Sequence, residues 1–308
     1  MAPAVARSGF AQSWPSKPIR VIVPFVAGGT VDVIARIAFE QLSKRLGQPI
    51  IVDNRGGAGG TIGSAIIARA NPDGYNLLVN SSAHTNAPAA FPTITYDPAR
   101  DFRAVISFGS IPNVIAAAPS KGFKTLKDLV EAGKKRELSF ASAGIGSATH
   151  WSIERLQLSA GFKALHVPFR AGPEAVLATM AGSVDFMAPS MEGALVRMRE
   201  SSLVGLAVST VQRSRAAPDI PTTLEAGYPD SDYTFWNGMF APAKTPREII
   251  DRLYRETTEV LRHPAVVEKY TAMSIDPMPM TPQEFDARVA REIAISLDIV
   301  KKAGLKFN

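Results

Sequence analysis

Two glycine-rich turns are the parts of this sequence best suited to binding a ligand, because each stands where a predicted strand becomes a predicted helix. The first glycine turn is PFVAGGTVD (24–32), which follows the β-rich run IRVIVPF and precedes an amphipathic run. The second glycine turn is SAGIGSATH (142–150), which follows the strand pattern LSFASA. Ligands of parallel α/β sheets bind beyond the carboxyl ends of strands, and a helix N-terminus there offers unpaired N–H groups and a positive dipole end. Both turns are therefore predicted anion sites, with a tight turn that binds nothing as the alternative.

Other chemistries that such turns can indicate find no support in the sequence. The second glycine turn departs from the dinucleotide fingerprint GxGxxG at Thr149, and the next strand pattern, LHVPFR, does not end in an acidic residue. No GxxxxGKS or GxxxxGKT phosphate loop and no GxSxG nucleophile motif occurs. The absence of cysteine excludes disulfides, thiolate zinc sites and a cysteine nucleophile. Metal-ligand spacing is also missing among the four histidines, which are His84, His150, His166 and His263. We therefore predict no catalytic residue, no metal and no cofactor.

Two further features near the turns have competing interpretations. Asp32 either supports the first turn of its helix or contacts the ligand, and an ionised Asp32 would repel a carboxylate but could receive the ammonium group of an amino acid. A third glycine turn, RGGAGGTIG (55–63), precedes a helix rich in small residues. We predict a structural role for this third glycine turn, namely close packing of that helix.

The elements that must position these turns alternate between strand and helix along most of the chain. Such alternation predicts βαβ units and mainly parallel sheets, which is an α/β, doubly wound fold. The last third is predicted to be helical, with runs 245–263 and 281–304 that each open with Thr-Pro, an N-cap followed by proline at the first helical position.

A chain of 308 residues suits two domains. Two apolar, extended segments, 113–120 and 233–243, are the predicted crossings between them. If both segments cross, one domain is discontinuous and comprises residues 14–110 and 239–308, while residues 111–238 form the other. Residues 1–13 are predicted to be the remnant of a leader or a disordered tail.

Charge and the N-terminal segment limit the partners and the compartment. The formal net charge is +6, but the basic residues are scattered, which predicts a solvated surface rather than a nucleic-acid patch and suits an anionic small ligand. The first residues lack the apolar core of a complete signal peptide, yet Gly9-Phe10-Ala11 has small residues spaced as in a leader cleavage site. We predict the tail of an export leader there, with an ordinary chain terminus as the alternative.

Many segments, in a fixed order from Trp14 to Lys306, resemble one known family, the substrate-binding proteins of tripartite tricarboxylate transporters, also called the Bug family. The segments are WPSKPIRVIVPFVAGGTVDVIAR, VDNRGGAGGTIGSAIIARANPDGYNLL, TYDPARDF, the second glycine turn, HVPFRAGPEAV, GSVDFM, RSRAAPDIPTTLEAGYP and FWNGMFAPAKTP. The resemblance implies an exported, periplasmic binding protein of two domains with a hinged ligand cleft, similar in fold to the type II periplasmic binding proteins.

The resemblance also implies partners and site residues. The partners would be a small carboxylate and either a membrane permease or a sensor, with no nucleic acid, and the protein would be a monomer. The ligand would lie between the first and second glycine turns. Carried onto this sequence, the ligand-binding residues are Ala27, Gly28, Gly29, Thr30, Asp32, Ser142, Ala143, Gly144, Gly146, Ser147 and Thr149, with Ser81, Ser82, His84, Phe169, Arg170, Ala171 and Gly172 as cleft walls.

Departures from the family pattern leave the ligand open. The family often has proline at the positions of Val26 and Ala27, a small polar residue at Val31, proline at Gly56, and YKG at 169–171. Arg170 is a candidate partner for a carboxylate. The leading hypothesis is a binding protein for a small mono- or dicarboxylate, with a dicarboxylate favoured because two helix ends make two anion sites. The alternatives are a ligand sensor for a signalling partner and a doubly wound enzyme acting on a nucleotide or an ester.

Overall fold

The protein folds around two five-stranded sheets, each covered by helices, in a computed structural model that describes residues 14–304. In chain order the strands are β1 (Ile19–Val23), β2 (Ile50–Asn54), β3 (Asn76–Ser81), β4 (Phe102–Ile111), β5 (Val114–Ala117), β6 (Leu138–Ser142), β7 (Ala164–Pro168), β8 (Phe186–Met187), β9 (Val204–Val208) and β10 (Phe235–Pro242). The α-helices are α1 (Thr30–Leu46), α2 (Thr61–Ala68), α3 (Ala83–Ala90), α4 (Leu126–Lys135), α5 (Ala148–Ala160), α6 (Gly172–Met180), α7 (Met191–Arg199), α8 (Arg247–Leu261), α9 (Pro264–Ala272) and α10 (Pro282–Ala303).

The two sheets have the same mixed topology. The first has the order β2-β1-β3-β10-β4 and the second the order β7-β6-β8-β5-β9. β1 is parallel to β2 and β3, whereas β10 is antiparallel to both of its neighbours. In the second sheet β6 is parallel to β7 and β8, and β5 is antiparallel to β8 and β9. The sheets are thus mainly parallel, as predicted, and the reversed strand in each lies in a segment predicted to cross between domains.

Helices cover both faces of each sheet, which is the doubly wound arrangement. On one face of the first sheet, Ile34 of α1 and Leu253 of α8 pack in one core cluster with Val79 of β3. On the opposite face, Ile67 of α2 and Phe285 of α10 pack in a second cluster. The second sheet likewise separates a cluster with α4 and α5 from a cluster with α6. We call the first sheet with its helices the first domain, and the second sheet with its helices the second domain.

The two domains pack against each other. The cluster that contains α1 and α8 continues into the second domain through Val114, Trp151, Met191 and Val208, all of which are buried. The first sheet takes its strands from both ends of the chain. The domain boundaries near residues 110 and 239 stay a prediction.

The N-caps of two helices in the last third of the chain were predicted from local sequence, one correctly and one wrongly. Thr281 caps α10, as predicted, and its side chain accepts from Glu284 N while the Glu284 side chain accepts from Thr281 N. In the other Thr-Pro run the prediction was wrong, because Pro246 rather than Thr245 is the N-cap residue of α8. The hydroxyl of Thr245 is buried and has no hydrogen-bond partner among residues 14–304. Within the same residues, no helix has both the length and the apolar character that a membrane span requires.

Candidate functional site

The carboxylate of Asp32 stabilises the first glycine turn by hydrogen bonds. Its buried carboxylate accepts from Gly28 N at 2.9 Å, from Arg36 Nε at 2.9 and 3.0 Å and from Asn54 Nδ2 at 2.9 Å. Burial alone would raise the pKa of Asp32, but the hydrogen bonds from Arg36, Gly28 and Asn54 hold that pKa below its usual value. Because four hydrogen bonds already occupy the carboxylate, the geometry favours its structural interpretation over a contact with a ligand ammonium group.

The backbone of the first glycine turn is open toward solvent. Ala27 and Gly28 are exposed, and Gly28 has a φ of +76°, a left-handed conformation that glycine adopts without strain. Gly29 is the N-cap of α1 and has no side chain to accept a hydrogen bond. The N–H groups of Thr30, Val31 and Asp32 therefore have no acceptor within the described chain. Three donors without an acceptor at the N-terminus of a 17-residue helix make this turn a candidate anion site.

The second glycine turn is arranged differently, because its own side chains accept from four of its N–H groups. Thr149 Oγ1 accepts from Ala143 N at 2.8 Å, Ser142 Oγ from Gly144 N at 3.1 Å, and His150 Nδ1 from Gly146 N at 3.2 Å. Ser147 caps α5, and its hydroxyl accepts from His150 N at 3.3 Å. N–H groups without an acceptor among residues 14–304 remain at Ile145, Ala148 and Thr149.

A pair of histidines lies beneath the second glycine turn. The rings of His150 and His166 stack with centroids 4.0 Å apart, and His166 Nε2 lies 2.6 Å from Ser142 Oγ. His150 Nε2 lies 3.3 Å from Glu154 Oε1. Burial, together with the neighbouring His150, lowers the pKa of His166 to about 3, so that this ring is neutral at physiological pH. His166 was not among the site residues predicted from the sequence, since nothing in the pattern LHVPF shows that its strand lies beside Ser142.

The predicted cleft walls on the first domain lie at the carboxyl end of β3 and are buried. Ser82 Oγ accepts from Tyr233 OH at 2.7 Å, and Ser81 Oγ accepts from Ala83 N at 3.3 Å. His84 does not fit the predicted wall position. It is fully buried, stacks on Phe240 at 4.7 Å, meets Phe102 edge-on and lies with Nε2 3.2 Å from Pro98 O. Burial lowers the pKa of His84 to about 4, which fits a neutral core histidine better than a ligand contact.

The predicted wall on the second domain, residues 169–172, extends the second glycine turn. Phe169 N donates to Ser142 O at 2.9 Å. Ala171 is the N-cap of α6 and offers no side-chain acceptor to the N–H of Gly172, the first helical residue. Arg170 is exposed and forms no ion pair with any described residue. Its guanidinium is therefore not neutralised by a carboxylate of the described residues.

The two domains contact each other around these turns. Asn86 Nδ2 donates to Gly146 O at 3.2 Å across the cleft, and Thr30 Oγ1 lies 3.4 Å from Glu192 Oε2. In the third glycine turn, a Cβ on Gly59 would come within 2.7 Å of Ile145 O. A Cβ on Gly63 would come within 2.8 Å of Arg55 O and Pro24. The third glycine turn thus packs closely on both sides, which agrees with its predicted structural role.

Besides His166, three residues near the glycine turns were missed by sequence reasoning, namely Asn86, Glu192 and Tyr233. Glu192 is in the first turn of α7, and its Oε2 also lies 3.2 Å from Ser190 Oγ. It is 162 residues from Thr30 in sequence. No local pattern connects residues so far apart, and only the topology brings them together. Among residues 14–304, no group of three or more His, Asp and Glu side chains is arranged to hold a metal ion.

A family model and a curated relative both match this chain over most of its length. Residues 34–305 match the family model described as the tripartite tricarboxylate transporter family receptor. Protein BugT of Bordetella pertussis is 35% identical over 303 residues, which cover 96% of this chain and 92% of BugT.

Solved structures of similar proteins agree with this assignment. The periplasmic binding protein BugD is 30% identical with a TM-score of 0.87, over 95% of this chain and 99% of that chain. MatC from Rhodopseudomonas palustris, with bound malate, is 31% identical with a TM-score of 0.86, over 93% and 100%. Rpa4515 from R. palustris, with adipate, is 28% identical with a TM-score of 0.87, over 94% and 98%. These matches confirm the two-domain fold of the type II periplasmic binding proteins, and the relatives are solute-binding proteins rather than enzymes. The chain therefore belongs to the tripartite tricarboxylate transporter receptor family, whose members include the Bug proteins.

Proposed function

We propose that this protein captures a small carboxylate in the cleft between its two domains, with the carboxylate bound at the N-terminus of α1. The observation that carries the proposal is the set of free N–H groups at Thr30, Val31 and Asp32 next to an exposed glycine turn. The malate and adipate bound to MatC and Rpa4515 support a carboxylate as the ligand class.

Magnitudes indicate that α1 does not act alone. Three hydrogen bonds to a charged group contribute about 1.5–3 kcal/mol each, or about 5–9 kcal/mol in all. A micromolar complex needs roughly 8 kcal/mol after association costs of at least about 4 kcal/mol are overcome. Donors from the second domain must therefore contribute, and those available are the free N–H groups at the start of α5 and α6 and the Arg170 guanidinium.

The direction of the ligand follows from the charges at the two ends of the cleft. Glu192 Oε2 lies 3.4 Å from Thr30 Oγ1, so any ligand carboxylate on the α7 side of the α1 N-terminus would face a like charge, and the first carboxylate is proposed to bind on the side away from Glu192. Arg170 and the free N–H groups of α5 and α6 lie near the second glycine turn instead. A dicarboxylate with one group on α1 and the other on the second domain is therefore the proposed ligand.

Location and partner follow from the family and are part of the proposal. The protein acts in the periplasm as a monomer and delivers its ligand to a tripartite-type membrane permease. The predicted leader remnant and tail, residues 1–13, lie outside the described residues. Opening and closing of the cleft would bend the chain between β4 and β5 and just before β10, because β5 and β10 themselves are held in the two sheets.

The test is a thermal-shift screen of paired mono- and dicarboxylates of equal length, with amino acids and nucleotides alongside. A ligand at about a hundred times its Kd stabilises the bound state by roughly 2.7 kcal/mol, which raises Tm by several degrees for a protein of this size. We expect shifts with carboxylates, larger shifts with dicarboxylates, and none with nucleotides. A Tm shift with a nucleotide and none with any carboxylate would contradict the proposal. A larger Tm shift with monocarboxylates than with dicarboxylates would contradict only the proposed site for a second carboxylate on the second domain.

A further inference from the structure

Asn86, in α3, connects the first domain to the second glycine turn through a side chain whose hydrogen-bonding capacity is almost filled. Its Nδ2 donates to Gly146 O at 3.2 Å and to Tyr233 OH at 2.9 Å, and its Oδ1 accepts from Ser296 Oγ at 3.0 Å. The residue is 1% exposed. Both amide hydrogens therefore have an acceptor, and one of those acceptors is a backbone carbonyl of the other domain.

Partners in the first domain hold this amide in place. Ser296 belongs to α10, and its hydroxyl donates to Asn86 Oδ1. Gly146 O can only accept, which requires that the Nδ2 end of the amide face the second glycine turn. Tyr233 OH in turn donates to Ser82 Oγ at 2.7 Å. One residue earlier, Thr85 Oγ1 lies 3.2 Å from Glu292 Oε2, which also accepts from Trp236 Nε1 at 2.7 Å. Asn86 thus presents its remaining N–H from a hydrogen-bonded network with Ser82, Tyr233 and Ser296, all of which are buried.

The acceptor is placed where it controls the binding turn. Gly146 O and Ser147 N belong to one planar peptide unit, so the direction of the carbonyl also sets the direction of the Ser147 N–H. Ser147 N donates to Gly144 O at 3.2 Å, and Ser147 is the N-cap of α5. A contact at Gly146 O therefore orients the first turn of α5 as well as holding the domains together.

We propose that Asn86 is the positioning residue for the second glycine turn and stabilises the closed cleft by its hydrogen bond to Gly146 O. The inference rests on the proposed ligand cleft but concerns a residue that does not contact the ligand. Opening of the cleft breaks the bond to Gly146 O and leaves the bond from Ser296, which lies within the first domain. Asn86 therefore favours the closed state and slows the release of the ligand.

The experiment measures the distance between domains with spin labels, which the cysteine-free chain allows. Labels are placed at Ile66→Cys in α2 and Leu177→Cys in α6, which are 37% and 61% exposed. The test variant is Asn86→Ala, and the matched control is Ser296→Ala, which removes a bond of the same network without touching the contact between domains. Asn86→Ser serves as a second test variant, because its shorter side chain does not reach Gly146 O.

For Asn86→Ala we expect the ratio of closed to open molecules to fall by about five- to tenfold, the effect of losing one hydrogen bond between two states. The dissociation rate of a bound carboxylate rises by the same factor, the association rate stays unchanged, and Ser296→Ala leaves the distance distribution as in the wild type. An unchanged distribution in both Asn86 variants, or an equal change in Ser296→Ala, would overturn the inference. A wild type that closes in this way but binds no carboxylate would instead contradict the proposed function.

Discussion

The two glycine turns look alike in sequence but differ in which of their backbone N–H groups are already occupied. The first leaves the N–H groups of three consecutive helical residues without an acceptor, and its one buried carboxylate, Asp32, supports the turn from behind. In the second, the side chains of Thr149, Ser142 and His150 accept from Ala143 N, Gly144 N and Gly146 N, while the N–H groups of Ile145, Ala148 and Thr149 have no acceptor among residues 14–304. A glycine-rich turn before a helix is an anion site only to the extent that nothing else accepts its N–H groups. We infer that the first turn binds one carboxylate, and that the second turn shapes the cleft and offers its remaining free N–H groups to the second carboxylate.

The largest expected effect is from Gly28→Val in the first glycine turn. Gly28 has a φ of +76°, where a branched side chain is strained, and its exposed backbone faces the proposed ligand. We expect carboxylate affinity in calorimetry to fall at least about 100-fold, as expected for the loss of two or more charge-assisted hydrogen bonds. The matched control is Gly47→Val at the C-cap of α1, where φ is +69° and the surrounding space is equally open. Equal loss of binding in both variants would show that backbone strain, and not the cleft, is responsible.

Asp32→Asn tests the support behind the first glycine turn. We expect affinity to fall about tenfold and the free energy of unfolding to fall by about 1–3 kcal/mol, because the charged hydrogen bonds from Arg36 and Gly28 N are weakened. The control outside the first glycine turn is Asp53→Asn on β2, which removes the ion pairs of Asp53 with Arg20 and Arg55. If amino acids bind the wild type and Asp53→Asn but not Asp32→Asn, Asp32 contacts the ammonium group of the ligand, and its structural interpretation is contradicted.

The pH dependence of stability gives a second measure of Asp32. The pKa of the folded state lies below that of the unfolded state, so the contribution is fully present above the unfolded value of about 3.9. It is lost as the pH falls through the folded pKa. We expect chemical denaturation at a series of acidic pH values to show a flatter decline for Asp32→Asn than for the wild type. Parallel declines would mean that Asp32 is not stabilised as its hydrogen bonds indicate.

A smaller effect is expected from Thr149→Ala in the second glycine turn. The substitution removes the acceptor of Ala143 N, whose N–H is then available to the ligand or to water. We expect a loss of about three- to tenfold in affinity, since one hydrogen bond that orders the turn disappears. Thr149→Ser keeps the hydroxyl and should bind as the wild type does. A loss as large as that of Gly28→Val would mean that the two turns share the charge equally, contrary to the comparison.

The smallest expected effect is from Arg170→Ala. The exposed guanidinium should add about 0.2–1 kcal/mol to the binding of a second carboxylate, as for other solvent-exposed ion pairs. The variant should weaken a dicarboxylate by up to about fivefold and leave the monocarboxylate of equal length unchanged. Calorimetry of both ligands, repeated at high salt, checks this selectivity. An equal loss for both ligands would place Arg170 at the first carboxylate.

Local sequence was sufficient for some of these features and not for others. The turns at 24–32 and 142–150 could be predicted because strand pattern, glycines and helix pattern are contiguous, and the cap at Thr281 because its partner is three residues away. The interpretation of Asp32 stayed open because Asn54, one of its partners, lies on the next strand. His84 was assigned to the cleft by its place after β3, but the first turn of α3 directs it into the aromatic core. Contacts such as Asn86 to Gly146 depend on the packing of two domains, which no local pattern encodes.

The most direct test of the central claim is amide NMR of the ¹⁵N-labelled protein titrated with malate, adipate and their monocarboxylate analogues. If a carboxylate binds at the N-terminus of α1, the amide protons of Thr30, Val31 and Asp32 should show the largest downfield shifts and become protected from exchange. The amides of Ala143, Gly144 and Gly146, which already have acceptors, should change less. Saturable binding that leaves the amides of Thr30 to Asp32 unchanged, while those of the second glycine turn shift and become protected, would contradict the account.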